Sequence, residues 1–312
     1  MNVTKVTAFA PASVANVAIG FDILGFSVNA LGDRVTLRRA PGGKVQVRAI
    51  RGVVEDLPLE AEKNTAGRAL QALIESRKLP FGFEMEIDKG IPLASGLGGS
   101  AASAVAAVVA ANALLEEPMT RIEMLVAAME GEAVASGSRH ADNISPSLFG
   151  GLVLTVGIDQ PRVKQIPVPE HIHAVIVHPH LQVSTKQARA ILSRTVNLSD
   201  FVWQTANLAG FISGCYTGDL DLIKASLEDV VIEKQRQALI PGFPEVRAAA
   251  LARGALGCSI SGAGPTLFAL CLETDAPAVR AAMVSEFASR DIKTDHWIVP
   301  AQSGGAHVVS CE

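Results

Sequence analysis

Residues 91–103 read IPLASGLGGSAAS, and from Ser100 the chain continues as SAASAVAAVVAANALL. Gly96, Gly98 and Gly99 permit positive φ and close backbone approach, so successive N–H groups converge on an anion with no Cβ in the way. The alanine-rich run predicts a helix from about Ser100, whose dipole points its positive end at the same anion. This stretch reads as an anion cradle, and the chemistry it predicts is that of phosphate.

Three other readings are set against it. Residues 91–115 carry no charge and are long enough to cross a membrane. Ala, Gly and Ser dominate them, however, Asn112 interrupts them, and Pro92 with three glycines keeps the first third from being a regular helix. A dinucleotide fingerprint is matched by Gly96, Gly98 and Ala101, with Glu116 and Glu117 downstream. That motif needs a strand ending at its first glycine and a second strand carrying the acid, whereas the expected strand FEMEID ends near Asp88 and Glu116 follows a helix. A plain structural turn is the third reading, and the loop by itself leaves it open.

A chain of 312 residues suits two domains. Its composition, 49% hydrophobic and 19% charged, excludes a disordered polymer, and a net charge of −4 gives no footprint for nucleic acid. Cys215, Cys258, Cys271 and Cys311 show neither C-x-x-C nor metal-finger spacing, so reduced thiols are expected. The segment MNVTKVTAFAPAS has no continuous apolar stretch after a basic start, so neither export nor a membrane is expected and the location predicted is cytoplasmic. Pairing into a homodimer is left open.

Taken in order, residues 3–9 predict a strand ended by Pro11, followed by a turn in which Asn16 and Asp22 stand inside an apolar tract. Such residues serve as turn or cap groups, or as partners for a ligand. VTLRRA and KVQVRAI predict a β-hairpin through APGG. Asn64 or Thr65 caps the helix AGRALQALIESRK, and Thr120 with Glu123 forms a capping box for RIEMLVAAMEGEAVASG. Glu130 and Glu132 fall in the C-terminal half of that helix, where a carboxylate meets an unfavourable dipole. Arg139, His140, Asp142 and Asn143 then cluster in a turn-rich segment, either a solvated loop or a substrate-binding group. The Pro-punctuated QPRVKQIPVPEH is taken as the connection between domains, placed at 1–160 and 161–312. The second half predicts the order β-α-β-β-α-β, a ferredoxin-like split motif, with the Gly-rich SGAGP between its central strands. Two Gly-rich loops in two domains point to one shared cleft.

Three strings, PASVANVAIGFDILG, PLASGLGGSAAS and SISGAGPTLFAL, resemble the sequence motifs of the GHMP small-molecule kinases, in the family's order. GSRHADN, STKQAR and EKQRQALIPGF are similar to the branch that phosphorylates L-homoserine, so the resemblance covers nearly the whole chain. It implies an α+β fold with an N-terminal ribosomal-S5-like domain that binds ATP and a C-terminal ferredoxin-like domain that closes the cleft. It also implies transfer of the γ-phosphoryl group of ATP to the hydroxyl of L-homoserine, a step in threonine biosynthesis. By the same resemblance the loop Pro92, Leu93, Ala94, Ser95, Gly96, Leu97, Gly98, Gly99, Ser100, Ala101, Ala102 wraps the phosphates, with Lys89 beside them and Asn64 near the adenine. Ser100 and Glu132 would hold Mg²⁺, an ion that takes one or two protein oxygens plus phosphates and water. Asn16, Asp22, His140, Arg189 and Arg236 would hold the amino acid, Asp22 suiting an ammonium and the arginines a carboxylate, with Asn143 near the reacting hydroxyl. Asp142 is the rival candidate for a base. Where relatives usually carry paired serines this chain has Gly99 and Ser100, which removes one hydroxyl from the loop. A mevalonate-type kinase and a non-catalytic ligand sensor of the same fold are the alternatives; the first has no ammonium for Asp22, and the second need not keep Ser100, Lys89 and Glu132.

Overall fold

The computed structural model describes residues 3–136 and 139–312; Gly137 and Ser138, inside the GSRHADN string, lie outside them. Strands β1 (Lys5–Ala15) and β2 (Leu24–Pro41) pair antiparallel from Lys5 opposite Arg38 to Ala15 opposite Gly25. Pro11 does not end β1. The strand runs through it, and the register slips between Pro11 and Ala12, a bulge at the residue that has no N–H to give.

Strand β3 (Val45–Gly52) does not form the expected hairpin with β2. Helix α1 (Thr65–Arg77) intervenes, and β4 (Phe81–Lys89) inserts between the two, antiparallel to β2 and parallel to β3. The side chains explain the order. Phe83, Met85 and Ile87 of β4 are all buried, which suits a central strand, whereas β3 carries Arg48 and Arg51 to an edge where they meet Glu84 and Glu86 of β4.

Helices α2 (Gly99–Asn112), α3 (Arg121–Ser136) and α4 (Ile144–Phe149) follow, then β5 (Leu152–Val156) against β2 and β6 (Arg162–Ile166) against β5. Every residue of α2 from Ala101 to Ala111 is buried, between β1 and β2 on one side and α1 and α3 on the other. A helix that is apolar all round belongs in a core. Among the described residues no helix is long and apolar enough to cross a membrane. The two expected caps form. Asn64 Oδ1 accepts from the Gly67 N–H at 3.1 Å, and Thr120 and Glu123 exchange backbone and side-chain bonds at 2.7 and 3.3 Å.

The second sheet consists of β7 (Ile172–Pro179), β8 (Ala255–Ile260), β9 (Leu267–Leu272) and β10 (Thr294–Pro300), antiparallel in the order β10-β7-β9-β8, which is the ferredoxin-like order. Between β7 and β8 run α5 (Thr185–Ala190), α6 (Leu198–Thr217), α7 (Leu220–Ser226), α8 (Glu233–Arg236) and α9 (Phe243–Ala252); α10 (Ala276–Ala288) joins β9 to β10. On one face Phe243, Val246 and Ala250 of α9 and Val279, Met283 and Phe287 of α10 make a separate core. The other face is continuous with the first core, where Phe268 meets Phe26 edge to face at 5.7 Å. This is a two-domain α+β fold. Two strands beyond residue 160 nevertheless pair in the first sheet: β6, and β11 (His307–Cys311), which returns to lie along β1.

Candidate active site

The three Gly-containing segments interlock. Gly96 (φ +80°) brings its backbone so close to the SGAGP turn that a Cβ there would lie 2.6 Å from the Ser261 carbonyl and 2.7 Å from that of Gly264. Ser261 Oγ donates to the Gly96 carbonyl at 2.7 Å, the Thr266 N–H to that of Ser95 at 3.2 Å, and Asn16 Nδ2 to that of Gly262 at 3.1 Å. Glycine is needed at Gly98 (φ +67°) for the same reason. A Cβ would strike Ser13 Oγ and Asn143 Oδ1, which bond each other at 2.9 Å. That bond uses the carbonyl half of Asn143, so the half offered to a ligand is the donor.

Around these turns lies a cavity of about 540 Å³. Pro92, Leu93, Ala94, Ser95, Gly96, Gly98, Gly99 and Ser100 border it along one side, with Asn64, Lys89 and Glu132; Asn16, Asp22, His140, Asp142, Asn143, Arg189 and Arg236 border it as well. Leu97, Ala101 and Ala102, assigned to the loop by resemblance, do not border it. Their side chains are fully buried and anchor the loop and the first turn of α2 to the core.

Ser100, in the first turn of α2, donates through Oγ to Glu132 Oε2 of α3 at 2.7 Å. Burial pushes the Glu132 carboxyl up to about 7 against the opposing pull of that bond and of Lys89. Two oxygen donors side by side at a helix N-terminus, one of them a carboxylate starved of solvation, fit a small divalent cation. Among the described residues no group of three or more His, Cys, Asp or Glu is placed to hold a metal ion. Asp142 is likewise pushed up to about 7, by burial first and then by the negative charges of Asp22 and Glu132.

The turn between β1 and β2 carries the other half of the site. Asn16, Val17 and Ala18 have φ of +73°, +47° and +61°, and Asp22 +63°. Asn and Asp adopt left-handed backbone readily, but it is costly for Ala18 and most of all for β-branched Val17, and persists there where surroundings enforce it. Here the Asp22 N–H bonds Asn16 Oδ1 at 3.1 Å, and Gln204 of α6 donates to the Ile19 carbonyl at 3.1 Å. The strained turn presents Asp22 to Arg189 of α5, whose fork donates to both carboxylate oxygens at 2.8 and 2.9 Å. His140 Nδ1 stands 3.8 Å from Asp22, and burial holds its pKa below the ordinary imidazole value. Arg236 donates to the carbonyls of Ala188 and Gly262, and both guanidiniums lie over the Phe21 ring at 5.3 and 5.1 Å. Arg189 Nε is buried without a hydrogen-bond partner, a donor aimed at nothing the described residues supply.

Sequence reasoning missed Ser13, Phe21 and Asp33, and had Ser103 only as the end of the glycine-rich stretch. Asp33 is fully buried in β2 and binds the Lys89 ammonium, which also reaches the Gly99 carbonyl at 2.8 Å and Ser103 Oγ at 2.9 Å. An acid in a strand whose neighbours Leu31 and Val35 are apolar is the one signal that pointed to it.

Comparison with known proteins bears on this geometry. Residues 64–151 match the family model of the GHMP kinases N terminal domain, and residues 211–289 that of the GHMP kinases C terminal domain. Homoserine kinase of Xanthomonas campestris pv. campestris is 51% identical over 97% of this chain and 94% of its own; that of Xylella fastidiosa is 50% identical over 97% and 93%. The crystal structure of homoserine kinase from Cytophaga hutchinsonii superposes with a TM-score of 0.93 at 44% identity, covering 98% of this chain and 97% of that one. Mevalonate kinase of L. major shares the fold, with a TM-score of 0.65 at 17% identity over 95% of this chain and 96% of that one. The chain therefore belongs to the GHMP kinases, and within them to the homoserine kinases.

Proposed function

We propose that the chain transfers the γ-phosphoryl group of ATP to the hydroxyl of L-homoserine, giving O-phospho-L-homoserine on the route to threonine, and that it works in the cytoplasm. The observation that carries the assignment of the site is one cavity bordered both by a glycine-rich helix N-terminus and by the Asp22, His140, Arg189 and Arg236 cluster. The triphosphate lies along residues 92–100, where loop amides and the α2 dipole meet its charge. The apolar walls by Val54, Leu57 and Leu93 suit a base, beside Asn64. Asn64 uses its own amide on Gly67 and Pro58, so it shapes that wall more than it binds the base.

The amino acid sits against the strained turn, its ammonium at Asp22 and its carboxylate at the Arg189 and Arg236 side, with Asn16 and His140 closing round it. Asn143 offers its amide N–H₂ to the reacting hydroxyl. Ser100 and Glu132 would hold Mg²⁺, which would supply neutralisation of phosphate charge when bound. Transfer forms the bond from the homoserine oxygen to the γ-phosphorus and breaks the bond to the β–γ bridging oxygen, while the hydroxyl proton departs to a phosphate oxygen. A loose transition state of this kind asks for positioning and charge neutralisation more than for a strong base. A mevalonate-type acceptor would leave Asp22 without its ammonium, and a mere sensor would have no use for the Ser100–Glu132 pair.

Coupled ADP release with Mg·ATP and a panel of L-homoserine, mevalonate, galactose and L-serine tests this. Turnover confined to L-homoserine is expected. Preference for another alcohol would discard the amino-acid clamp, and no turnover with any would discard the kinase assignment.

A further inference from the structure

The geometry points to Asp33 as a positioning residue for the nucleotide: its carboxylate ties the entry and the exit of the phosphate loop to one atom group, with Lys89 as its counter-ion. The inference rests on the reading of residues 92–100 as the triphosphate site. Oδ1 accepts the N–H groups of Gly90 and Ile91 at 3.0 and 3.3 Å, where the chain leaves β4 for the loop. Oδ2 accepts Ser103 Oγ–H at 2.6 Å, one turn into α2 where the loop ends, and binds Lys89 Nζ. Lys89 in turn reaches the Gly99 carbonyl, the first residue of α2. The span between these anchors, residues 92–98, has no charged side chain of its own to fix its opening.

Lys89 borders the cavity, which invites a direct role on the phosphates. Its three N–H groups are committed to Asp33, Gly99 and Ser103, and its side chain is 6% exposed. Reaching a phosphate would break one of these bonds and leave a buried carboxylate under-compensated. The pair is also internally neutral, so the attraction for the triphosphate falls to the amides and the helix dipole that the pair holds in place. Asp33 touches no substrate; it acts by setting the loop's width.

The test measures Mg·ADP binding by titration calorimetry, with KM for ATP and for L-homoserine, on Asp33→Asn, Ser103→Ala and the double variant Asp33→Asn with Lys89→Met. Asp33→Asn is expected to weaken Mg·ADP about tenfold or more and to raise KM for ATP in step, with KM for L-homoserine changed less than about twofold. Ser103→Ala, which disturbs no charge, is expected to move ADP binding the same way by about threefold and decides the matter if Asp33→Asn does not fold. The double variant is expected to bind no worse than Asp33→Asn; a further loss of about tenfold would make Lys89 a phosphate ligand in its own right and overturn the inference. Unchanged ADP binding, or equal losses for both substrates, would also overturn it. ADP release by the wild-type chain with L-homoserine tests the acceptor assignment separately, since ADP binding involves no acceptor.

Discussion

Asp142 and Glu132 are two buried carboxyls on one cavity, both pushed up to about 7, and their roles separate by what they touch. Glu132 holds Ser100, so Glu132→Ala should cut kcat by about 10²-fold or more, only partly restored by excess Mg²⁺; unchanged kinetics would remove it from the metal shell. Asp142 is the rival for a base. If positioning carries the reaction, Asp142→Asn keeps kcat within about tenfold, and a loss of about 10²-fold or more would restore the base. A third carboxyl pushed up to about 7 lies away from the site: Glu233, partly buried and bonded to Ser259 Oγ, is raised chiefly by burial. Its native pKa lies above the ordinary carboxylate value, so between about pH 4.5 and 7 the folded chain holds a proton that the unfolded chain has released. That stabilisation is complete at low pH and lost as pH rises through 7. Glu233→Gln should therefore flatten the fall in stability between about pH 4.5 and 7, by an amount on the order of 1–3 kcal/mol, checked by urea denaturation across that range.

At the scale of elements, the phosphate loop makes two opposite predictions at neighbouring glycines. Gly96→Ala places a methyl against two carbonyls in left-handed backbone, and should lower the melting temperature and raise KM for ATP by about tenfold. At Gly99 the nearest atoms to a Cβ are Ile91 Cγ2 at 3.2 Å, Ile91 Cβ at 3.4 Å and Lys89 Nζ at 3.6 Å, and the backbone there is helical. Gly99→Ser should fold, and by returning a hydroxyl to the loop should leave KM for ATP equal or lower, measured by the same ADP assay. Much of this element was legible: the glycines, the helix start and the two capping residues are local signals, decided within three or four residues. The placing of β4 rather than β2 beside β3 was not, because it rests on packing the buried Phe83, Met85 and Ile87 centrally and on pairing residues 35 or so positions apart, such as Arg48 with Glu84 and Arg51 with Glu86.

Across the whole molecule, the motifs at either end of the chain could be assigned to one cleft by resemblance, but the strained turn that brings them there could not. Nothing in VANVAIGFD states that Val17 adopts a φ of +47°. Asp33 was unreadable for a related cause, since its partners come from β4, the loop and α2, which only the packed core assembles. Strand β11 was missed because HVVSC is short and exposed at all five residues, so its composition carries no core-facing pattern. It covers the outer edge of β1. Removing residues 305–312 should expose that edge, lower the melting temperature and promote self-association, seen by light scattering.

The same strand brings the chain's two ends together: the Thr4 N–H bonds the Glu312 carbonyl at 2.8 Å, and Lys5 pairs with the Glu312 carboxylate at 2.9 Å. A short linker from residue 312 to residue 3 would cross that gap without strain, and the exposed turn at residues 157–160 between β5 and β6 offers a new opening. A circular permutant cut there would begin at the β6 segment and run through the ferredoxin-like sheet before the first sheet's hairpin. Every strand pair would keep its covalent context except β5–β6, which would lose its turn, and β1–β11, which would gain one, and the order of synthesis of the two halves of the active site would be reversed.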